Sequence, residues 1–385
     1  MKRILAAALG VLVLAALPLS AGAATLAEAG KSAVLMDVTT GTVLYEHNSH
    51  EALAPASVTK VMTMLLIMEA VDSGKISLTD TVTASEAAAA KGGSQIYLKV
   101  GETMRVSDML KSIAVSSAND CACAMAEHIS GSESAFVEAM NQRAKELGMQ
   151  DTHFVNCTGL DDDDSARLHR TSAYDIALMS RELLKNHPDI KKYTTIWMDT
   201  VRNGTFGLSN TNKLIRFYPG ATGLKTGYTS GAGYCLSASA QKEGMELIAV
   251  VMGARTSQTR NAACKELLDY GFANFAVVTP EPEALPQVAV RLGKQAQVPA
   301  RMAESAGMLI EKSQRSGITT EISLKESVAA PVTRGQTLGS LTVKSGEQIL
   351  RQIPLVAAED VEKLTTGDIF LAVLRKAAMA KEGTE

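Results

Sequence analysis

Between residues 58 and 71, apolar side chains recur at Val58, Val61, Met62, Leu65, Leu66 and Met68, the spacing of a helix face. Asp72-Ser73-Gly74 ends the run, so the pattern predicts a helix over 58–71, amphipathic to buried. Ahead of it, Ala33-Val34-Leu35-Met36-Asp37 and Thr42-Val43-Leu44-Tyr45-Glu46 flank Thr39-Thr40-Gly41, which reads as strand, turn, strand. Residues 78–104 look irregular, with short strands. Helical spacing returns over about 105–115, 119–130 and 132–147, the last stopped by Gly148. A polar loop runs from Asn156 to Arg170, and Thr171 then caps a predicted helix reaching about Asn186. From Gly231 the pattern is β again: Tyr234–Gln241, a turn at Lys242-Glu243-Gly244, then Glu246–Met252. A helix over about Gln258–Phe272 follows. Helix-covered strands drawn from both ends of one domain predict an α+β layer architecture.

Beyond residue 276 the texture changes. Thr279-Pro280-Glu281-Pro282-Glu283 reads as an extended linker. Short β-like runs follow at Gln287–Leu292, Gly317–Leu324, Leu338–Val343 and Gln348–Pro354. Residues 277–362 therefore read as a small all-β domain, and 24–276 as the main one. A chain of 385 residues has room for two such domains. Its 46% hydrophobic and 21% charged content is that of an ordinary globular protein.

The first 23 residues read differently. Met1-Lys2-Arg3 is a charged start, Ile4 to Leu17 an apolar stretch short for a membrane span, and Ala21-Gly22-Ala23 a small-residue cleavage site. That is a secretory signal, and export is the expectation. Losing Lys2 and Arg3 moves the formal charge from −3 to −5, which argues against nucleic acid as a partner. Cys121, Cys123, Cys157, Cys235 and Cys264 show no zinc spacing and leave room for one disulfide. No H-E-x-x-H or similar histidine set occurs, so neither metal nor other cofactor is expected. Asp161-Asp162-Asp163-Asp164 lacks the 12-residue ligand spacing of a calcium loop and reads as solvated.

The candidate chemistry begins at Ala54-Pro55-Ala56-Ser57-Val58-Thr59-Lys60. Pro55 suits a first helical turn, so Ser57 falls at or near the helix N-terminus, where unpaired N–H groups favour a developing oxyanion. Lys60, three residues on, shares a helix face with Ser57 and becomes a base for its hydroxyl if its pKa is lowered towards neutrality. S-x-x-K alone is weak, since background usage gives about one or two per chain. A second copy, Ser239-Ala240-Gln241-Lys242, sits in a predicted strand that turns the two side chains to opposite faces. Ser117-Ala118-Asn119, between two predicted helices, is either an N-cap pair or a loop presenting a hydroxyl with an amide. Lys225-Thr226-Gly227 offers a fixed positive charge, a donor, and a glycine that lets substrate backbone approach. Its competitor Lys344-Ser345-Gly346 reads as a hairpin turn.

Taken in order, these motifs form the triplet of penicillin-binding proteins and class A β-lactamases. Together with Ser117-Ala118-Asn119-Asp120, His169-Arg170-Thr171-Ser172-Ala173-Tyr174-Asp175, Lys225-Thr226-Gly227-Tyr228-Thr229 and Leu267–Phe272, the chain resembles the low-molecular-mass penicillin-binding proteins that act as serine-type D-alanyl-D-alanine carboxypeptidases. The likeness covers about residues 30–275, and the β tail more loosely. It implies an antiparallel sheet flanked by helices, peptidoglycan stem pentapeptides as substrate and β-lactams as trapping ligands. It implies Ser57 as acyl-ester nucleophile, Lys60 as general base, Ser117 as proton shuttle and Asn119 as grip on the peptide amide. Lys225, with Thr226 and Gly227, would meet the substrate carboxylate, and Arg260 would grip it. The backbone N–H groups of Ser57 and Tyr228 would form the oxyanion hole. Tyr228 and Thr158 both stand where relatives often carry His, departures that bear on deacylation rate.

Two rivals stay in view. A class A β-lactamase needs an E-x-x-L-N loop; the nearest match, Glu182-Leu183-Leu184-Lys185-Asn186, has the wrong spacing and lies in a predicted helix. A sensor that is acylated without turnover needs a segment to pass the signal on, and none is seen. Within the last segment, 363–385, Ile369, Val373 and Ala377 recur beside Phe370 and Leu374, with Arg375, Lys376 and Lys381 close by. That segment reads equally as an amphipathic helix on a membrane surface or as a terminal helix docked or frayed.

Overall fold

The computed structural model describes residues 30–379, apart from 163, 280–283 and 305–306. The expected signal sequence and most of the expected linker lie outside the described residues.

The main domain is built on a five-stranded antiparallel sheet. Its strands are β1 (Ser32–Asp37), β2 (Val43–His47), β7 (Ala221–Thr229), β8 (Gly233–Lys242) and β9 (Met245–Ala254), in the order β2-β1-β9-β8-β7. Between β2 and β7 the chain forms α1 (Lys60–Asp72), β3 (Thr81–Thr83), α2 (Glu86–Ala89), β4 (Thr103–Arg105), α3 (Val106–Ser116), α4 (Asn119–Ser130), α5 (Glu133–Glu146), α6 (Ala173–Asn186), α7 (Lys191–Thr194), β5 (Met198–Val201), β6 (Phe206–Ser209) and α8 (Leu214–Phe217). Helix α9 (Ser257–Asn274) covers the opposite face.

Both faces of the sheet are covered, so β1 and β9 are buried on both sides rather than alternating between core and solvent. In β1, Val34 and Met36 face the α1–α6 side, while Ala33 and Leu35 face α9. Strand β9 divides in the same way, Ile248, Val250 and Met252 against Leu247, Ala249 and Val251. Each fully buried side chain of this kind contributes about 1.5–3 kcal/mol. The α+β architecture expected from the pattern is the one observed.

Helix α1 runs through the centre and is buried on nearly every side. Regular α-helix begins only at Lys60, because Ala56–Thr59 form a 3-10 turn before it. The helix after the polar loop is capped by Ser172, whose Oγ accepts from the Asp175 N–H, one residue later than expected. Thr171 is held elsewhere, its backbone bridged to Leu53 and its hydroxyl to Thr152. All five cysteines are buried and unpaired, so the disulfide for which the sequence left room does not form. Cys121, Cys235 and Cys264 sit as small groups in the core, while the Cys123 and Cys157 thiols reach Glu133.

Strand β10 (Phe275–Val278) leaves α9 and pairs antiparallel with β13 (Met308–Glu311), joining the main domain to the β domain. The remaining strands are β11 (Gln287–Arg291), β12 (Gln297–Met302), β14 (Ile318–Leu324), β15 (Ser327–Ala329), β16 (Thr337–Ser345) and β17 (Gln348–Ala357). They form one six-stranded sheet, ordered β14-β16-β17-β12-β11-β15. Lys344-Ser345-Gly346 is the β16–β17 hairpin end, as read from sequence. Helix α10 (Thr366–Met379) follows.

Gly339 in β16 is pressed against its neighbour: a Cβ there would lie 2.0 Å from the Ser323 carbonyl oxygen. Gly339→Ala should therefore part β14 from β16 and destabilise the β domain by about 1–3 kcal/mol. Calorimetric melting checks this, with penicillin labelling of Ser57 expected to survive. Melting indistinguishable from the parent would contradict it.

Candidate active site

Ser57 sits on a turn held from three directions. Ala56, just before it, has φ +49°, a left-handed conformation that costs a residue with a Cβ. The Thr59 hydroxyl holds the turn by donating to the Ala56 carbonyl at 2.8 Å. That hydroxyl in turn meets His169 Nε2 at 2.7 Å, while His169 Nδ1 accepts from the Val155 N–H at 3.1 Å. With Nδ1 accepting, Nε2 carries the hydrogen, so the ring is neutral. Burial, reinforced by the fields of His153, Arg170 and Lys60, lowers its pKa to about 4. The third support is Gly159, φ +79°, where a Cβ would lie 1.9 Å from the Ala56 carbonyl oxygen. No side chain fits there.

Lys60 is fully buried, and its Nζ lies 2.8 Å from Ser57 Oγ and 2.6 Å from the Thr158 carbonyl oxygen. Burial lowers its pKa to about 7, against the opposing pull of Cys157 and Asp120. A neutral amine has two hydrogens and one lone pair. One hydrogen goes to Thr158, which leaves the lone pair for the Ser57 O–H. The expected nucleophile and base are brought together.

Lys225 is the third expected group. It projects from β7, fully buried, and donates to the Thr226 carbonyl at 2.8 Å. Burial first, then the positive fields of Lys60 and Arg260, push its pKa well below the ordinary lysine value. A substrate carboxylate beside it would favour the charged form.

The second motif frames the other wall. Ser117 ends α3 with φ +64°, and Asn119 starts α4, both buried. Asn119 Nδ2 donates to the Gly92 carbonyl at 2.7 Å, while its Oδ1 is buried without a partner. An orphaned acceptor is costly unless something else supplies an N–H. Asp120, given no role on sequence grounds, accepts the N–H groups of Ile96, Leu98 and Cys121. Together with the Asn119 N–H to Ser94 carbonyl bond at 2.7 Å, it fastens segment 94–98 to the site. Its place after Ser117-Ala118-Asn119 was the available signal.

Strand β7 is an edge strand, so one side of its backbone faces the cleft. A Cβ on Gly227 would lie 2.6 Å from the Pro55 carbonyl oxygen and 3.0 Å from the Ser57 nitrogen, which fixes why glycine stands there. Thr226 Oγ1 donates to Thr211 Oγ1 at 2.7 Å. Tyr228 is 56% exposed and stacks on Tyr234 at 4.3 Å. Arg260 lies in the first turn of α9, with its hydrogen bonds going to Asn261 Oδ1 and the Cys235 carbonyl. It reaches Lys225 through its field. The competing Ser239 bonds Thr222, and Lys242 bonds Tyr218, so that pair is not assembled. Glu69, Glu182 and His187 lie close enough to share a cation, but Arg143 already bridges the two glutamates.

The profile described as D-alanyl-D-alanine carboxypeptidase, peptidase S11, matches residues 20–256. The chain belongs to that family. A second profile, the C-terminal domain of penicillin-binding protein 5, matches residues 280–363. The chain is 48% identical to D-alanyl-D-alanine carboxypeptidase DacF of Bacillus subtilis, over 88% of its own length and 87% of the relative's. It is 34% identical to DacC of Escherichia coli, over 86% and 84%. Among solved structures, penicillin-binding protein 5 of Haemophilus influenzae superposes with a TM-score of 0.76 at 31% identity, covering 87% of this chain and 98% of that one. Penicillin-binding protein D2 of Listeria monocytogenes in its ampicillin-bound form superposes with a TM-score of 0.58 at 31% identity, covering 63% and 98%.

Two outcomes follow for this family member. Because Lys60 must be neutral to accept a proton, Ser57 acylation by a penicillin should plateau above pH 7 and fall about tenfold per unit below it. A stopped-flow pH profile reads this; a rate that is flat down to pH 5, or that first appears near pH 10, contradicts it. Gly159→Ala should displace the nucleophile turn and cut acylation at least a hundredfold.

Proposed function

We propose that the protein is an exported serine-type carboxypeptidase that removes the terminal D-alanine from peptidoglycan stem pentapeptides. The observation that carries this reading is the 2.8 Å pairing of Ser57 with a lysine buried enough to be neutral. Ser57 Oγ attacks the penultimate D-alanine carbonyl carbon while its proton passes to Lys60. The tetrahedral oxyanion faces the backbone N–H groups of Ser57 and Tyr228, each such donor being worth about 3–4 kcal/mol of barrier. Collapse expels D-alanine, whose amine takes the proton by way of the Ser117 hydroxyl. Water then hydrolyses the Ser57 ester. Asn119 Oδ1, buried and unpaired, accepts the N–H of the peptide. The substrate carboxylate settles by Lys225, Thr226 and Arg260. A β-lactam carries the same carboxylate and a strained amide, and so acylates Ser57.

The β-lactamase reading needs a glutamate over the acyl-enzyme. Among the described residues, the loop beside Ser57 supplies Asn156, Thr158 and Asp161 instead, and Glu182 is tied to Arg143. Release of free D-alanine separates a turning-over enzyme from a sensor. Helix α10 exposes Ile369, Phe370, Leu371, Val373 and Leu374, which supports a second element of the proposal: it lies on the outer face of the cytoplasmic membrane. No described helix is long and apolar enough to cross a membrane.

Ser57→Ala should abolish both D-alanine release from a Lys-D-Ala-D-Ala peptide and labelling by a fluorescent penicillin, whereas Ser239→Ala should keep the labelling. Labelling that persists without Ser57 would sink the assignment. Truncation at Gly367 should abolish sedimentation with anionic vesicles and leave soluble-peptide turnover intact. A full mature chain that never sediments would exclude the membrane contact.

A further inference from the structure

Beyond the catalytic groups, a cavity of about 720 Å³ lies between the turn after β7 and residues 161–162 and 166–170, lined by Ala54, Asp161, Asp162, Arg167, Arg170 and Gly231. The two sides approach closely, since a Cβ on Gly231 would be 3.4 Å from Asp161 Oδ2. Ala54 belongs to the segment leading into the Ser57 turn, so one wall of the cavity is the approach to the nucleophile. We infer that it receives the side chain of the stem peptide's third residue, and that it suits a side chain ending in both an ammonium and a carboxylate.

This rests on the carboxypeptidase reading, and the direction of the bound peptide follows from it. The C-terminal carboxylate is drawn to the cationic end, at Lys225 and Arg260, and the scissile carbonyl lies where Gly227 meets the Ser57 turn. An extended peptide docked on the free edge of β7 then runs past Tyr228 and Thr229. Residues rise about 3.3 Å each along a strand, so the residue before the penultimate D-alanine lies level with that stretch. A long side chain there reaches the Gly231–Asp161 gap.

The lining charges decide the chemistry. Asp161 and Asp162 are exposed carboxylates, and among the described residues neither is in an ion pair. Of the two lining arginines, Arg167 is already engaged, whereas the Arg170 side chain donates only to the His169 carbonyl, at 3.4 Å, and has no carboxylate partner among the described residues. Acceptors for an ammonium and donors for a carboxylate therefore share one cavity. A side chain ending in an amine alone would engage the aspartates and leave the guanidinium unmatched. An uncharged side chain would engage neither. Selectivity by charges left unmatched favours the diamino-dicarboxylate class.

The test compares three pentapeptides differing only at the third residue: meso-diaminopimelate, lysine and norleucine. Two readouts are taken on the mature chain: D-alanine release, and protection of Ser57 from a fluorescent penicillin. The proposal expects kcat/KM and protection to favour meso-diaminopimelate over lysine by about tenfold, and lysine over norleucine by less. Arg170→Gln should collapse the first ratio towards one, with Arg170→Lys retaining part of it, and Asp161→Asn should collapse the second. Equal values for all three peptides would overturn the proposal while leaving the carboxypeptidase reading intact. So would an Arg170→Gln variant that lowers all three alike. Absence of D-alanine release would overturn only the turnover reading, because protection still reports the preference.

Discussion

The structure turns on one buried amine. Lys60 sits inside the molecule with no carboxylate in contact, held by a backbone carbonyl and the Ser57 hydroxyl. An isolated buried ammonium is expensive, and the drop from 10.5 to about 7 corresponds to something on the order of 5 kcal/mol. That cost arises from enclosure, because α1 is packed on nearly all sides by α3, α4, α5, α6 and β7. The same enclosure makes the amine a base near neutral pH. Stability and chemistry draw on the same desolvation.

The helices were legible where each had an apolar stripe and a cap or stop. Helices α3, α4 and α5 lie within a residue or two of the pattern, and Ser132 caps α5 by accepting the Ala135 N–H. Strand β7 was not legible. Gly223 and Gly227 break its alternation, and Gly227 is required because the nucleophile turn presses on it. A functional contact thus erased the strand signal. The hairpin β5–β6 was missed for another reason: Met198, Asp199 and Thr200 are all exposed, and Val201 and Leu208 alone are fully buried, too few to make an alternating run. In the β domain, β12, β13 and β15 are short, and no alternating run long enough to mark them appears in the sequence.

The site divides along similar lines. Ser57, Lys60, Ser117, Asn119 and Lys225 were legible because motif spacing carries them. His169 and Gly159 were not, because their work is done on Ala56 and Thr59, more than a hundred residues away in sequence. No periodicity reports a steric limit of that kind. The downward push on the Lys225 pKa was also invisible, since it comes first from burial and then from the fields of Lys60 and Arg260.

What holds Lys60 in place is itself held from a distance. Its carbonyl partner, Thr158, lies on a loop fixed by Asn156 Oδ1, which accepts the N–H groups of Thr158 and Gly159. The adjoining Cys157 donates its N–H and thiol to Glu133 at the start of α5, and Glu133 also pairs with Lys91 at 2.6 Å. A carboxylate that could neutralise a lysine is thus spent on Lys91 and Cys157, one step removed from Lys60. Had Glu133 reached Lys60 directly, the ion pair would have raised the amine's pKa and removed the base. The loop therefore does two things at once: it offers Lys60 a neutral acceptor, and through Cys157 it engages a glutamate that pairs with Lys91.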